Sequence, residues 1–496
     1  MKRISVNGAS WDSIFLSIIR IVTTIGSIVE TKILSVGFNL TEYGTYSQIA
    51  VVISICNSLI MLGLGDALNY YYNNSSSEFN RDKRLTFVNT IFAVEIIAGV
   101  IVAVALFCGK GLISSYYSNP AISSLIIFVA IRPMLTNLLS LYQTLFVSVG
   151  RAKVIAVRNL VLSIISIAVI SVSVYVFHSI IAMYICTLMI AVFQLLFFAL
   201  FFSKKEFTIK PYKANLSLVK QILLYAIPMG IFALTNTLVR DVDRLVIGYL
   251  SNTETVAIYS NCSKILPYDI IATSFATVLI PYIMKYITGQ DNHAVLLFKN
   301  YLKIGYYSVV TFGVGTIIVT NQIIPFLYSS EYLAGRSVFV IYIFDSMLKF
   351  ASMHLVLAAS GKTKTIMKYS LISLVANAIL NVVLYKLFGM IGPAISTLIV
   401  TLGYTIAILN QTRKILNTKW KELFDIKELM LFIIGLVATG IIAHCINYYL
   451  GVIHCHEYVN MFITLILFGV ANFALCHKRI KRALQAINSL KLVEQQ

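Results

Sequence analysis

Four charges fall within five residues, at Arg240, Asp241, Asp243 and Arg244, inside an apolar run from Ile222 to Leu250. The run is long enough to cross a bilayer. Charges in such a segment are costly, so they face a bundle interior or a wet cavity. On a helix Arg240, Asp243 and Arg244 share a face. Two kinds of chemistry suit the set. An internally paired Arg-Asp-Arg cluster locks helices together. Alternatively, the charges face a wet cavity where a guanidinium, which never deprotonates, can meet a substrate anion.

Other charges sit inside apolar runs. Arg20, Arg132 (before Pro133), Lys264 and Lys349 are basic; Glu30, Glu95, Asp269 and Asp345 are acidic. Asp345 and Lys349 are four apart and are expected to pair. Arg20 and Arg132 have no such local acid. Together with Arg240, Arg244 and Lys264 they are the candidates for meeting a substrate anion. The alternative is that Arg20 and Arg132 pair with Glu30 or Glu95 across helices. Glu95, Asp243 and Asp269 are the candidates for a carboxylate that titrates with a proton or Na⁺ gradient.

Catalytic signatures are missing: there is no His-Glu-x-x-His, no Walker A loop and no nucleophile elbow. The sequence therefore reads as a non-enzyme with no cofactor. The seven cysteines, Cys56 to Cys476, fit neither a disulfide framework nor a zinc site. His454-Cys-His456 reads as a polar turn rather than a metal site.

The elements that position these residues follow from composition. The 496 residues are 58% hydrophobic and 12% charged, against about 25% charged in soluble proteins. Apolar runs of helix length mark an all-α, polytopic membrane protein rather than a β-barrel. Window reading places fourteen spans, near 11–36, 45–68, 85–107, 121–147, 154–176, 179–202, 219–249, 256–284, 301–328, 337–360, 365–387, 391–412, 428–450 and 457–477. No cleavable signal peptide is expected, because the first apolar run is long.

Of the 39 Lys and Arg, 29 lie in the segments on the N-terminal side of the bilayer, four on the other side and six within spans. That bias puts both termini in the cytoplasm of a bacterial inner membrane. The formal charge of +19 is then a skirt facing anionic lipid, not a nucleic-acid site.

The chain also repeats itself. Lys32, Thr41-Glu42 and Tyr46-Ser47 recur as Arg244, Thr253-Glu254 and Tyr259-Ser260, at offsets of 212 or 213. Gly150-Arg-Ala-Lys153 recurs as Gly361-Lys-Thr-Lys364, and Phe177 as Phe388, both at 211. An even number of helices per repeat predicts two parallel, pseudo-symmetric six-helix lobes. These are 1–202 and 219–412, joined by a cytoplasmic linker at 203–218. A cytoplasmic loop at 413–427, a terminal helix pair at 428–477 and a cytoplasmic tail at 478–496 complete the chain.

Several stretches resemble one family. They are Leu40-Thr-Glu-Tyr-Gly-Thr-Tyr46, Leu62-Gly-Leu-Gly65, and the Pro228 helix with Asp243-Arg244, Gly248-Tyr249 and Ile258-Tyr-Ser260. Gly361-Lys-Thr-Lys364, Asn377-Ala-Ile-Leu-Asn381 and Phe388-Gly-Met-Ile-Gly-Pro-Ala-Ile395 belong with them. Over roughly 10–410 the chain is similar to polysaccharide flippases of the multidrug/oligosaccharidyl-lipid/polysaccharide exporter superfamily. The Wzx-type O-antigen flippases are the nearest branch. Pro393 departs from the small residue more usual there. The resemblance implies translocation of an undecaprenyl-diphosphate-linked oligosaccharide by alternating access, with a polysaccharide polymerase and a chain-length regulator as partners. Its diphosphate and sugars would need a polar cavity between the lobes. The rivals are a cation-coupled drug exporter of the same superfamily, a polysaccharide polymerase or ligase, and a lipid scramblase. The turns Glu42-Tyr-Gly44 and Asp243-Arg244 disfavour the exporter. Outer connections of about ten to fifteen residues leave no large periplasmic loop for a polymerase.

Overall fold

The computed structural model describes residues 6–73, 81–264, 279, 282–287, 293–351 and 353–492, and the side chains of 6–18, 20, 21, 488 and 490–492 lie outside the description. The described regular structure is helical. In chain order the helices are α1 (Val6–Gly37), α2 (Leu40–Met61), α3 (Leu64–Asn73), α4 (Arg81–Tyr116), α5 (Ala121–Val129) and α6 (Arg132–Ser148). Next come α7 (Ala152–Tyr175), α8 (Ile180–Lys205), α9 (Leu216–Leu250), α10 (Thr253–Cys262), α11 (His293–Ile318), α12 (Thr320–Leu327) and α13 (Arg336–Leu348). The last are α14 (Leu355–Ala359), α15 (Thr363–Phe388), α16 (Ile391–Ile415), α17 (Trp420–Leu423), α18 (Ile426–Val452) and α19 (Glu457–Leu492).

Among the described residues ten spans are long and apolar enough to cross a membrane, or eleven if α11 and α12, bent by 90°, count as one. The chain is a multi-pass membrane protein. The fourteen expected spans differ from these in identifiable places. The first is a 32-residue helix that is not among the ten. Most of the eighth lies outside the described residues. The tenth is split into α13 and α14 by a connection that packs backbone-first: a Cβ on Gly305 of α11 would stand 2.3 Å from the Phe350 carbonyl oxygen.

Large side chains stay exposed on the outer faces, such as Phe193 and Leu200 on α8 at 71% and 63%. Such a surface suits a hydrocarbon solvent, where burying apolar groups brings no hydrophobic gain.

Two compact units divide at Ala257 and Ile258. In the first, a core of Leu68, Phe87, Ile91, Leu141, Phe146 and Phe202 joins α3, α4, α6 and α8. The α9 helix packs on α2, α3 and α4 of the same unit. In the second, α18 and α19 pack on α11 around Tyr306, Tyr307, Phe432 and Phe468. Glu428 of α18 accepts hydrogen bonds from Lys303 and from Tyr307 (2.9 Å) on α11, anchoring the terminal pair there.

Local backbone geometry recurs at the repeat offsets. Asn39 caps α2 by accepting from the Glu42 amide at 2.8 Å. Asn252, 213 residues on, accepts from the Thr255 amide at 2.8 Å. Gly150 and Gly361 both have positive φ, +77° and +69°. In each, the following amide reaches back five residues, Arg151 to Phe146 O and Lys362 to Leu357 O, both at 2.9 Å or less. This is the left-handed helix ending that glycine favours. His178 (+46°) and Gly389 (+59°), 211 apart, form the tight turns after Phe177 and Phe388.

The hydrophilic stretch 203–218 is docked rather than free. The Lys210 amide donates to Asn89 Oδ1 at 2.7 Å, and the Asn215 amide to Thr90 Oγ1 at 3.0 Å. Arg151 pairs with Glu206 at 2.6 Å.

Candidate functional site

Two spans of the first unit are interrupted where polar residues gather, and a third, α9, carries a proline there. The first break is between α2 and α3, where Leu62 (φ 30°) and Gly63 (φ 79°) turn left-handed. Left-handed backbone is unfavourable for side-chained residues and easy for glycine. Gly63 lies directly on α9. A Cβ there would stand 2.1 Å from the Ala226 carbonyl oxygen, and one on Gly230 would stand 2.3 Å from the Leu62 carbonyl carbon. Pro228 lies between these α9 contacts and has no amide to donate to the preceding turn. The second break, at Ala130 and Ile131, precedes α6, whose second residue is Pro133.

From this elbow a polar ladder climbs between α2 and α9. Ser58 and Thr237 hydroxyls meet at 2.8 Å, and one turn on Ser54 donates to Asp241 at 2.9 Å. Arg244 pairs with Asp241 at 3.4 Å. The spacing is four residues on each helix, so the ladder is the antiparallel match of two helical faces. Ser54, Ser58 and Thr237 are functional-looking residues that the sequence reading passed over. Their signal was a small hydroxyl every fourth position in an apolar run.

Beside the ladder lies a cavity of about 650 Å³, lined by Asn57, Ser58, Asp66, Asn69, Asn137 and Gln143 among others. Asn137 donates to the Asn57 carbonyl at 3.0 Å, tying α6 to α2. Glu95 on α4 is 0% exposed. Neither of its oxygens has a hydrogen-bond partner, although the Asn137 side chain lies close enough to act on it.

The sequence-derived candidates are scattered among different environments. Arg132 opens α6 directly after the break. Its charge acts on Tyr46 of α2 and Tyr184 of α8, whose rings stack at 6.3 Å. Among the described residues no carboxylate forms an ion pair with Arg132. Glu30 instead accepts from Ser166 of α7. The hydroxyl of the buried Tyr184 has no partner. Arg240 is exposed whereas Asp243 is buried, so those two differ in depth despite their shared helical phase. Lys264 donates to Asn261 at 2.9 Å. Lys349 pairs with Asp345 at 2.5 Å, as its spacing predicts. Asp269 and the side chain of Arg20 lie outside the described residues.

In the second unit a cavity of about 610 Å³ is lined by Asn321, Gln322 and the turn His454–Tyr458. Among the described residues no three His, Cys, Asp or Glu are placed to hold a metal.

Comparison with known proteins follows the same lines. Residues 38–336 match the profile of the family described as "Polysaccharide biosynthesis protein". A relative from Rickettsia prowazekii (strain Madrid E), named "Probable lipid II flippase MurJ", is 24% identical over 279 residues. The alignment takes in 51% of this chain and 53% of that protein, so the chain spans about half the length of this relative. A solved lipid II flippase MurJ in an inward closed conformation superposes with TM-score 0.73 at 15% identity, covering 94% of this chain and 99% of that one. An inward-facing multidrug resistance MATE transporter of the MOP superfamily gives TM-score 0.64 at 14% identity, covering 80% and 94%. At such identities the likeness establishes the fold and nothing finer.

Proposed function

The chain belongs to the polysaccharide biosynthesis protein family, and on that premise we propose that it flips a lipid-linked saccharide across the bacterial plasma membrane by alternating access. The cargo is an undecaprenyl-diphosphate-linked oligosaccharide, an O-antigen repeat unit or a similar surface-polysaccharide precursor. Polymerase and chain-length regulator act on the product. The family description gives polysaccharide biosynthesis and the name of the MurJ relative gives a lipid II flippase, and a lipid-linked saccharide cargo draws on both.

The observation that carries this reading is Arg132. It lies about eleven residues, or ~17 Å at the helical rise, from the start of α5. That depth is beyond easy snorkelling to the headgroups. Among the described residues it has no carboxylate partner, and it stands at a helix break near the stacked pair Tyr46 and Tyr184. Interrupted helices are where transporters expose polar groups to their cargo. A guanidinium so placed can fork onto a diphosphate. Arg244 and Lys264 already have partners in this state, so they would meet cargo only by exchanging them. Arg20 and Arg240 remain candidates of the same type.

The test is complementation of a flippase-null strain, scoring surface polymer and membrane abundance together. Arg132→Ala should abolish polymer at normal abundance. Arg132→Lys should restore it in part, since it keeps the charge without the fork. Normal polymer from Arg132→Ala would remove this residue from the mechanism. Efflux of a cationic dye with no polymer from the wild type would replace the flippase reading with a drug exporter.

A further inference from the structure

The second unit holds a cavity that the transport reading does not use. It measures about 610 Å³, within the ~300–1,000 Å³ usual for small-ligand sites. Two features meet there. On one side α11 ends and bends by 90° into α12, which brings Asn321 and Gln322 to the cavity. On the other, α18 ends and α19 begins, which brings His454, His456, Glu457 and Tyr458. The basic-residue bias puts this turn on the outer side of the bilayer.

Amides hold the wall in place. At the bend the last carbonyls of α11 lose their helical partners, and Asn447 of α18 donates to the Ile318 carbonyl at 3.3 Å. Gln322 Nε2 donates to Asn447 Oδ1 at 3.0 Å, and Asn460 Nδ2 of α19 to the Asn447 carbonyl at 2.9 Å. Thr464 donates to Asn460 Oδ1 at 3.2 Å. Every side-chain amide atom of Gln322, Asn447 and Asn460 therefore has a partner except one. Gln322 Oε1 is shielded from solvent and has none, and an acceptor left so is costly. The turn carries strain as well: His454 has φ 57°, a left-handed conformation unfavourable for a residue with a side chain. Strain of this kind gathers at functional sites.

The lining selects the chemistry of a ligand. Amide, imidazole and phenol groups present donors and acceptors side by side, and a hydroxyl is both at once. The lining contains no Lys or Arg, so a phosphate finds no permanent positive charge and meets the Glu457 carboxylate. It contains no aliphatic side chain either, so a lipid tail finds no matching wall.

We propose that this cavity is a binding site for a neutral saccharide on the outer face, using none of the residues named for cargo above. A sugar hydroxyl supplies the donor that Gln322 Oε1 lacks, Glu457 accepts from another, and Asn321 offers both roles. The saccharide is free or is the head of a lipid-linked molecule; only the second source rests on the flippase reading.

Cys455 is a built-in reporter, because it lines the cavity and its thiol is free. Cys108, free and exposed on α4, is the control. The full-length protein in detergent is treated with N-ethylmaleimide, and alkylation of each cysteine is followed by mass spectrometry. N,N′-diacetylchitobiose, maltose, lactose and glycerol are added in turn. Nanodiscs carrying undecaprenyl-diphosphate-linked chitobiose, or undecaprenyl diphosphate alone, form the second arm. Bound saccharide should slow Cys455 severalfold and leave Cys108 unchanged. Protection by a free disaccharide, or by the lipid-linked one and not by bare undecaprenyl diphosphate, supports the site and identifies its source. Asn321→Ala removes an exposed side chain, so it should keep the thermal midpoint and lose the protection. The proposal is overturned by no protection in either arm, by equal protection from glycerol or bare undecaprenyl diphosphate, or by undiminished protection in Asn321→Ala. No transport is read here, so failed complementation leaves this site standing and failed protection leaves the flippase reading standing.

Discussion

Gly63 is where α2 breaks and where the break is pressed against α9, so its substitution separates two costs. The first is backbone strain. At φ 79° an alanine pays about 1–2 kcal/mol for the left-handed region. The second is steric, because the new Cβ would stand 2.1 Å from the Ala226 carbonyl oxygen, and overpacking of this kind costs about 1–3 kcal/mol. Gly63→Ala should therefore destabilise by roughly 2–5 kcal/mol. Two controls isolate the parts. Gly150 has φ 77° with nothing within 4 Å of its Cβ position, so Gly150→Ala carries only the strain, about 1–2 kcal/mol. Gly403 lies mid-helix in α16 with nothing within 4 Å and no positive φ, so Gly403→Ala should be neutral or stabilising by up to about 1 kcal/mol. The assay is the apparent thermal midpoint of each purified variant in one detergent, read by intrinsic fluorescence. The expected order of midpoints is Gly403→Ala, wild type, Gly150→Ala, Gly63→Ala. If Gly63→Ala falls no further than Gly150→Ala, the elbow is not clamped on α9, and the backbone-to-backbone contact is not what fixes the break.

Three further outcomes are expected. Glu428→Leu, which leaves Lys303 only its longer ion pair with Asp425 (3.7 Å) and removes the carboxylate from Tyr307, should lower the thermal midpoint; adding Lys303→Met should recover part of it, because the half-paired charge is one of the costs. Glu422 accepts from Thr418 and from the Lys419 amide, and these bonds hold its carboxyl below the ordinary 4.5. A depressed carboxyl contributes above the unfolded value and is lost as pH falls through the folded one. The protection factor of the Lys419 amide should accordingly hold at pH 5 and fall once the pH drops below 4.5 and through the depressed value; the same protection factor in strong acid as at pH 5 would contradict it. For topology, an impermeant thiol reagent on intact spheroplasts should label Cys455 in the turn after α18 and should not label a cysteine placed at Lys210. The reverse pattern would invert the orientation drawn from the basic-residue bias.

Much of the architecture was legible because it depends on local properties of the chain. Apolar runs of span length must be helices in lipid, since no other open structure satisfies its backbone there. Gly150 and Gly361 end helices through contacts within five residues, so the offset that marked them survives as repeated geometry, and Asn39 and Asn252 begin helices by equally local contacts. The pairing of Asp345 with Lys349 is local in the same sense.

The tertiary structure decided what lies between helices. Leu62-Gly-Leu-Gly65 looked like a helix end; Ala226 and Gly230, more than 160 residues away, fit against it and turn it into an elbow inside a span. Ser54 and Ser58 carry no charge and no motif, and they matter because Thr237 and Asp241 happen to face them. The stretch 203–218 reads as a linker by composition, and the Lys210 and Asn215 amides within it are taken by Asn89 and Thr90 of α4. Counting charges set Arg132 against Glu30 and Glu95 as possible partners. Packing instead gives Glu30 to Ser166, leaves Glu95 sealed beside Asn137, and leaves Arg132 near the stacked pair Tyr46 and Tyr184. A sequence states how many charges a membrane protein buries; the crossing and phase of its helices determine which of them are neutralised by a neighbour and which must find a ligand or a proton.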